Sequence, residues 1–209
     1  MVIEAVLGSP LDEKTIPSHP FAMFTLWYME AVRKNLPEIE TMTLATATKE
    51  GKPSARIVLL KGFDEKSFLF YTDYRSRKGK ELTANPHGCL LFYWHSLDQQ
   101  VRIEGTISKL SFEKSKEYFR SRPFESQIAA LASEQSSVIP SREDLQEKIL
   151  ALKAKYESGN APMAMFWGGY LLNPDYFEFW QKGCHRLHDR VRYKKLPGGE
   201  GWKIDLLSP

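Results

Sequence analysis

Short segments rich in β-branched and aromatic residues recur along this chain, and turn-forming residues separate them. The first five lie at Thr41–Ala47, Ser54–Phe63, Ser67–Thr72, Gly88–His95 and Gln99–Leu110. Four more follow at Met165–Leu172, Tyr176–Gln181, His188–Lys194 and Trp202–Leu206. Residues 50–53 and 64–66 contain Gly, Pro and Asp, which favour the tight turns of hairpins. Many short strands joined in this way predict an antiparallel β-barrel.

Helical segments interrupt the strands. They are predicted at Pro20–Asn35, Ser76–Asn85, Ser111–Arg120, Ser126–Ser133 and Ser141–Ser158. Ser18 is a candidate N-cap for the first helix, and the last helix is expected to bury Leu145, Ile149 and Leu152. Residues 1–17 lack periodicity and contain one glycine and two prolines, so we expect a mobile N-terminal arm there. The predicted fold is α+β, a single domain at 18–209 with helices packed outside an antiparallel barrel.

Composition narrows the function classes. With 42% hydrophobic and 26% charged residues, the chain resembles an ordinary soluble globular protein. A net charge of +3 gives no general case for binding nucleic acid or membranes. Cys89 and Cys184 are too few for a disulfide framework or a structural zinc site. The sequence shows no secretory signal and no apolar run of membrane-spanning length, so we expect a cytoplasmic protein.

The segment Glu178–Arg190 is the strongest candidate for a functional site. Its pattern predicts a strand, a turn at Lys182-Gly183 and a second strand. Because side chains alternate along a strand, three potentially cationic groups should share one face, namely Arg186, His188 and Arg190. The first strand carries Phe179 and Trp180, which would form an aromatic wall beside these cations. The arrangement suits a planar, anionic ligand, although a solvated surface strand would also explain it.

Three other segments carry groups that suit phosphate. Ser76-Arg77-Lys78 begins a predicted helix, where cations oppose the helix dipole unless an anion binds there. Arg56 and Lys61 bracket an apolar strand, and strict alternation puts them on opposite faces. A third cluster offers hydroxyl, amide and guanidinium groups at Tyr118, Arg122, Ser126, Gln135 and Ser136. Each segment alone is equally typical of an ordinary surface, but together they provide groups for two separate anions.

Two other chemistries are disfavoured. His185 and His188 would face opposite ways on a strand, and the neighbouring arginines would repel a cation, so no metal site is predicted. Asp189 would point away from His188, and the chain has no nucleophile elbow. Hydrolysis by a Ser-His-Asp triad is therefore not expected.

Taken together, these motifs resemble those of the pyridoxamine 5′-phosphate oxidase family. The matching segments occur in order and with compatible spacing over roughly residues 21–209: Arg56–Lys61, Phe70–Thr72, Ser76–Lys78, Gln99–Val101, Tyr118–Pro123, Gln135–Ser137, Trp167–Gly169, Glu178–Gln181 and Arg186–Arg190. The Arg-Leu-His-Asp-Arg run downstream of Trp-Gln is the most specific of them. The resemblance implies a homodimeric split β-barrel that binds FMN at the subunit interface, in agreement with the predicted barrel.

Carried over residue by residue, the resemblance implies three sets of site residues. FMN would be bound by Arg56, Ile57, Val58, Leu59, Leu60, Lys61, Tyr71, Thr72, Arg77, Lys78, Gln100, Gln135, Ser136, Trp180 and Arg190. The substrate would be bound by Lys61, Tyr118, Arg122, Ser126, Arg186, Leu187 and His188. The catalytic set would be Arg186, His188 and Arg190. These sets would be completed across the dimer, so one chain need not surround the flavin.

The implied reaction belongs to vitamin B6 biosynthesis and salvage. Pyridoxamine 5′-phosphate or pyridoxine 5′-phosphate is oxidised by O₂ to pyridoxal 5′-phosphate, with release of hydrogen peroxide and, from the amine, ammonia. Arg186 would cover the substrate opposite the flavin, and Arg190 would favour negative charge on the reduced ring.

Two departures from the family pattern bear on the substrate site. Residues 1–17 contain no Arg or Tyr, so an altered or absent lid is expected. Lys182 and Cys184 stand where smaller or acidic residues are usual, which would add a cation near the site. Two alternatives stay open, a flavin-binding barrel without oxidase activity and a nucleic-acid-binding barrel, and the modest net charge disfavours the second.

Overall fold

The computed structural model describes residue 11 and the ranges 15–156 and 161–209. In these ranges the helices are α1 (Pro20–Arg33), α2 (Arg77–Ala84), α3 (Phe112–Ser121), α4 (Phe124–Ala132) and α5 (Arg142–Lys155). The strands are β1 (Thr41–Ala47), β2 (Pro53–Leu59), β3 (Gly62–Phe63), β4 (Phe68–Asp73), β5 (His87–Trp94), β6 (Gln99–Lys109), β7 (Trp167–Gln181), β8 (Asp189–Lys195) and β9 (Trp202–Leu206). Short 3₁₀ turns occupy His95–Leu97 and Cys184–Arg186.

The strands form one curled antiparallel sheet in the order β2-β1-β5-β6-β7-β4-β3, with β8 paired to β7 and β9 to β8. Strand β7 is long enough to pair with two strands along one of its edges. Its residues 167–172 pair with β4 and its residues 176–181 pair with β8, while β6 follows both halves. The predicted α+β fold with a split antiparallel barrel and peripheral helices is confirmed.

The sequence interpretation divided β7 into two strands, and that division is wrong. Pro174 cannot donate a ladder hydrogen bond, yet the strand continues through it because the register shifts just before Gly105 of β6. A Cβ at Gly105 would lie only 2.2 Å from the backbone oxygen of Asn173. Glycine therefore permits the close approach that keeps one long strand intact.

Helix α1 closes the core against the concave face of the sheet. Its apolar face buries Phe21, Phe24 and Trp27. The ring pairs Phe21–Phe68, Phe24–Phe92 and Trp27–Phe179 have centroids 5.1, 5.2 and 5.3 Å apart. Burial of these large aromatic side chains contributes to the stability of the domain. The opposite face of the sheet is left for polar and half-buried side chains.

Some local expectations differ from the structure. Helix α1 is capped by His19 without a side-chain hydrogen bond, not by Ser18, because Pro20 already fixes the first helical residue. Leu145, Ile149 and Leu152 are half-buried, since α5 has no fully buried residue. Most of the expected arm at 1–17 lies outside the described residues.

Candidate functional site

A cleft of about 330 Å³ lies between the edge of the sheet and helices α2 and α3. Its lining residues are Ile57, Val58, Leu59, Lys61, Tyr71, Thr72, Lys78, Tyr118, Arg122, Gln135 and Trp167. All of them except Trp167 belong to the predicted cofactor and substrate sets. The fold therefore gathers into one place residues that lie up to 78 positions apart in these sets, from Ile57 to Gln135.

Edge strand β2 presents the first wall of this cleft. Ile57 and Leu59 are 63% and 41% exposed, so this wall offers apolar side chains to a ligand. Lys61 lies beyond the end of β2, where its backbone N–H donates to the carbonyl of Leu69 at 2.8 Å. Because Lys61 lies outside the strand, the alternation that predicted Arg56 and Lys61 on opposite faces does not apply to it. Leu60 differs from its neighbours, because its side chain lies in the core.

Three polar groups meet at the base of the cleft. The Nζ of Lys78 donates to Gln135 Oε1 at 2.6 Å and to Thr72 Oγ1 at 3.2 Å, and Thr72 also donates to Gln135 at 2.9 Å. Lys78 is 7% exposed. Burial, reinforced by the positive charge of Arg56, lowers the pKa of Lys78 to about 8. Ser136, next to Gln135, has a left-handed backbone with φ of 72° and is exposed.

Glu81 of α2 joins two predicted phosphate ligands, although no sequence pattern had assigned it a role. Its Oε1 accepts from Arg77 Nε at 2.9 Å, and its Oε2 lies 3.3 Å from Arg56 Nη2. Burial alone would raise its pKa, but hydrogen bonds from Ser54, Thr46 and Arg77 hold the pKa of Glu81 at about 2. The i, i+4 spacing of Arg77 and Glu81 was the feature of the sequence that could have indicated this ion pair.

Aromatic rings and one arginine form the opposite wall. Tyr71 stacks on Tyr118 with centroids 3.9 Å apart and on Trp167 at 5.2 Å. The guanidinium carbon of Arg122 lies 4.4 Å from the centre of the Trp167 ring. Arg122 Nη1 is buried without a hydrogen-bond partner among the described residues, and burial lowers the pKa of this guanidinium. A buried, unpaired donor of this kind is costly unless a ligand accepts from it.

Several predicted residues do not line the cleft, among them Ser126 and Arg77 as well as Arg56, Leu60 and Ser136. Ser126 lies in the first turn of α4, where its N–H donates to Pro123 O at 2.9 Å. Arg77 opens α2, behind an N-cap formed by Ser76 Oγ, which accepts from Gly79 N at 3.3 Å. The cap shows that Ser76 completes the helix start, so an anion there would meet the side chains of Arg77 and Lys78.

A second group of predicted residues lies on the outer face of the sheet. Gln100, Trp180 and Arg190 are direct partners across β6, β7 and β8, so their side chains form one row. Phe179 does not belong to this row. It is completely buried in the core, which corrects the prediction of an aromatic wall made of both rings. Alternation along β7 sends Phe179 inward and Trp180 outward.

Glu178 holds Arg190 in this second group. Its Oε1 accepts from Arg190 Nε at 2.9 Å, and its Oε2 accepts from Arg102 Nη2 at 2.6 Å and from the Tyr176 hydroxyl at 3.2 Å. Glu178 is 4% exposed. The other edge of Arg190 donates through Nη1 to the carbonyl of Ser208 at 2.8 Å. The guanidinium is therefore fixed on both sides.

The expected single face of Arg186, His188 and Arg190 is wrong. Strand β8 begins at Asp189, and Arg186 lies in the preceding 3₁₀ turn, where φ is 66°. The break occurs because the left-handed residues at 185 and 186 bend the chain away from a strand. Leu187 is 69% exposed on this turn.

The turn nonetheless fixes His188. The N–H of Gly183 donates to His188 Nδ1 at 3.2 Å, and the His188 ring lies 4.7 Å from that of Trp180. A Cβ at Gly183 would lie 1.7 Å from the Leu187 carbonyl oxygen, so the turn requires glycine. Lys182, expected to add a cation near the site, is paired with Asp98 at 3.0 Å.

Other predicted site residues line a second cleft. Leu187, His188 and Arg190 line a cleft of about 250 Å³ with the C-terminal residues Leu206, Leu207 and Pro209. None of the residues lining this cleft lines the first one. The predicted residues therefore line two different clefts of one chain.

The described ranges contain no cluster of three or more His, Cys, Asp or Glu side chains placed to hold a metal ion. In the same ranges, no helix combines the length and apolar character that a membrane crossing requires.

Comparisons with known proteins identify the family. Residues 28–155 match the family model described as pyridoxamine 5′-phosphate oxidase, and residues 167–209 match that of the pyridoxine 5′-phosphate oxidase C-terminal dimerisation region. A pyridoxine/pyridoxamine 5′-phosphate oxidase from Paraburkholderia phymatum is 54% identical, covering 97% of this chain and 94% of the relative. One from Gloeothece citriformis is 49% identical, covering 95% and 92%.

Solved structures give the same result at the level of the fold. PhzG from Burkholderia lata 383, in complex with tetrahydrophenazine-1-carboxylic acid, superposes with a TM-score of 0.89 at 30% identity, covering 97% of this chain and all of that one. A pyridoxamine 5′-phosphate oxidase-related, FMN binding protein from Nostoc punctiforme has a TM-score of 0.71 at 16% identity, covering 93% and 100%. The chain belongs to the pyridoxine/pyridoxamine 5′-phosphate oxidase family, a family of FMN-dependent oxidoreductases.

Proposed function

We propose that this protein oxidises pyridoxamine 5′-phosphate or pyridoxine 5′-phosphate to pyridoxal 5′-phosphate. Oxygen is the electron acceptor, and the products include hydrogen peroxide and, from the amine, ammonia. One observation carries the proposal. A single cleft brings the predicted cofactor group of Thr72, Lys78 and Gln135 beside Lys61, Tyr118 and Arg122 of the predicted substrate-phosphate group.

FMN is the cofactor of this family, and the chemistry of the cleft suits it. The lining contains the cations Lys61, Lys78 and Arg122 and no carboxylate, so a phosphate entering it meets no repulsion from the described lining. Nη1 of Arg122 is buried and has no hydrogen-bond partner among the described residues, so it is available to donate to a bound anion. FMN would be held by Arg56–Lys61, Tyr71, Thr72, Arg77, Lys78, Gln135 and Ser136, with Gln100, Trp180 and Arg190 completing the site.

The separation of the two groups supports a site shared by two subunits. Gln100, Trp180 and Arg190 form one row on the outer sheet face, and none of them lines the cleft. The matched dimerisation region at 167–209 contains both Trp180 and Arg190. In the proposed homodimer, one subunit contributes the cleft and its partner contributes the outer-face row.

Bound FMN supplies the redox chemistry, because it accepts two electrons from the substrate and returns them to oxygen. The protein has to bind and orient the substrate. Lys61, Tyr118, Arg122 and Ser126 would bind its phosphate, and Arg186, Leu187 and His188 its ring. Nδ1 of His188 accepts from Gly183 N–H, so Nε2 is the ring nitrogen that is left to contact the substrate. Burial raises the pKa of Tyr71 to about 12, so its hydroxyl stays protonated and serves as a donor.

Anaerobic reduction of the flavin tests the function directly. The purified protein should take up FMN and turn yellow, and adding either phosphorylated substrate without oxygen should bleach the flavin. Readmitting air should restore the colour and produce peroxide. A yellow protein that neither substrate bleaches would instead support the flavin-binding barrel without oxidase activity, and a protein that takes up no FMN would refute both.

The phosphate assignment has its own test. Pyridoxine lacks the phosphate that Lys61, Tyr118 and Arg122 are proposed to bind, so it should reduce the flavin far more slowly than pyridoxine 5′-phosphate. Tetrahydrophenazine-1-carboxylic acid, the ligand in the PhzG complex, also lacks a phosphate and is a useful third compound. Equal rates with all three would contradict the assignment.

A further inference from the structure

The carboxylate of Glu81 contacts two cations of the proposed cofactor site, Arg56 and Arg77. We propose that Glu81 is a positioning residue that holds Arg56 and Arg77 ready to receive the phosphate of FMN. This inference rests on the proposed function, because it assigns Glu81 a role at the same cofactor site. It concerns binding of the cofactor and not the chemical step.

Both oxygens of Glu81 are engaged. Oε2 accepts from Thr46 Oγ1 at 2.5 Å and from Ser54 Oγ at 2.6 Å, and it lies 3.3 Å from Arg56 Nη2. Oε1 accepts from Arg77 Nε at 2.9 Å. The Glu81 side chain is only 6% exposed. One buried carboxylate thus ties strand β1, edge strand β2 and the start of α2 together.

The contacts of Arg56 show how firmly it is held. Its Nη1 donates to Leu44 O at 3.1 Å and to Thr46 Oγ1 at 2.5 Å, while its Nη2 donates to Ser54 Oγ at 2.5 Å. Thr46 and Ser54 are the same hydroxyl groups that donate to Glu81. Glu81 therefore fixes the two hydroxyls as well as the guanidinium. Side chains ordered in advance lose less entropy when a ligand binds.

Arg77 is held at one end. Its Nε is bound to Glu81, and within the described part of the chain its Nη1 and Nη2 have no hydrogen-bond partner. The side chain is 55% exposed. A guanidinium anchored through Nε presents its terminal fork in a defined direction, which suits two phosphate oxygens.

The local charge is consistent with this role. Arg56, Arg77 and Lys78 carry three positive charges, and Glu81 offsets one of them. The two that remain match a phosphate monoester, whose charge at neutral pH is about −1.5 to −2. Without Glu81, Arg77 would lose the acceptor of its Nε and Arg56 would lose one of its acceptors, and cations in this group would repel one another.

A purely structural role is the competing explanation, since Glu81 also links three elements of the fold. The two explanations differ in what they predict for riboflavin, which is FMN without the phosphate. Loss of a structural link would weaken both flavins alike. Loss of a phosphate-positioning group would weaken FMN alone.

The experiment compares dissociation constants for FMN and riboflavin, measured by flavin fluorescence with the full-length protein. Glu81→Ala should weaken FMN by about tenfold or more, the effect expected for losing a hydrogen bond to a charged group. Riboflavin should change by less than about twofold on the same reasoning. Glu81→Gln keeps one acceptor oxygen, so it should show the same selectivity with a smaller loss. Equal losses for both flavins, no loss, or tighter FMN binding would overturn the inference.

Glu30→Gln is the matched control. Glu30 pairs with Lys34 of α1 at the same i, i+4 spacing, 3.1 Å apart with side chains 34% and 56% exposed, and its substitution should change neither constant. If Glu81→Ala does not fold, the flavin selectivity of Glu81→Gln decides the question. A wild-type protein that binds neither flavin would refute the proposed function itself, an outcome distinct from a wild type that binds FMN while the variants lose no selectivity.

Discussion

The Nζ of Lys78 lies 2.6 Å from the side-chain oxygen of Gln135, although 57 positions separate the two residues. This contact ties the loop after α4 to the start of α2, and Thr72 donates to the same oxygen. Lys78 is therefore nearly enclosed, and burial together with the charge of Arg56 lowers its pKa to about 8. Lys78 therefore changes charge near pH 8, where binding and stability can both be measured.

FMN binding should weaken above pH 8. The phosphate favours protonated Lys78, and the free protein loses that proton as pH rises through about 8. Titrations from pH 7 to 9.5 should show a rising FMN dissociation constant and a much flatter one for riboflavin. In Lys78→Met, FMN should bind more weakly at pH 7 and the pH dependence should largely vanish. The same pH dependence in wild type and variant would show that another group titrates.

The free energy of unfolding should also depend on the protonation of Lys78, and this contribution should increase with pH. An unfolded lysine titrates near 10.5, so between about 8 and 10.5 the unfolded chain binds more protons than the folded one. Lys78 therefore makes unfolding harder as pH rises through this window. Denaturation of wild type and Lys78→Met, compared at pH 8 and pH 10, should show this rise in wild type alone.

Arg77 and Arg186 should have different functions. Arg77→Ala removes a group assigned to the FMN phosphate, so FMN should bind about tenfold or more weakly. Arg186→Ala removes a group assigned to the substrate, so turnover should fall by about 10- to 100-fold while FMN stays bound. FMN retention on gel filtration and oxygen consumption would measure the two effects. Finding them exchanged would refute the division into cofactor and substrate groups.

Local sequence patterns predicted most strands well, because prolines, glycines and aspartates mark their ends. Thr41–Ala47 and Trp202–Leu206 agree with the structure at both ends. The residues that line the cleft were grouped by the resemblance to a known family, because each of their segments alone is equally typical of an ordinary surface. Periodicity failed at Arg186, because it assumes a continuous strand and two left-handed residues interrupt that strand.

Acidic partners of the arginines were harder to find. Glu81 is 25 positions from Arg56, and Glu178 is 12 from Arg190 and 76 from Arg102. Contacts over such distances depend on the register of the sheet, which local patterns do not contain. Only Arg77 and Glu81, four apart on one helix, left a signal in the sequence.

Gly183→Ala should impair the substrate site and spare the cofactor. The new Cβ would lie 1.7 Å from Leu187 O, so the turn that carries Arg186 and His188 would have to move. The Michaelis constant for pyridoxine 5′-phosphate should rise and turnover should fall, while FMN affinity should stay close to wild type. Gly62→Ala is the control, because its new Cβ meets nothing within 4 Å. Wild-type kinetics in Gly183→Ala would contradict the assigned role of this turn.

Glu178→Gln should destabilise the protein at neutral pH. Burial alone would raise the pKa of Glu178, but hydrogen bonds from Arg102 and Arg190 outweigh it and lower the pKa. The carboxylate therefore stabilises the fold above its usual pKa of 4.5, and that contribution is lost as pH falls through the lower folded value. The variant should lose about 1–3 kcal/mol at pH 7, since it weakens hydrogen bonds to two partly buried guanidinium groups.

Urea denaturation at pH 7 and pH 4 would measure both effects, and the gap between wild type and Glu178→Gln should narrow at pH 4. Glu104→Gln provides the comparison, because Glu104 is 39% exposed and also pairs with Arg102. An exposed pair contributes little, so this variant should lose less than about 1 kcal/mol. If the two variants lost equal stability at pH 7, Glu178 could not be the buried group that holds Arg190 against β7.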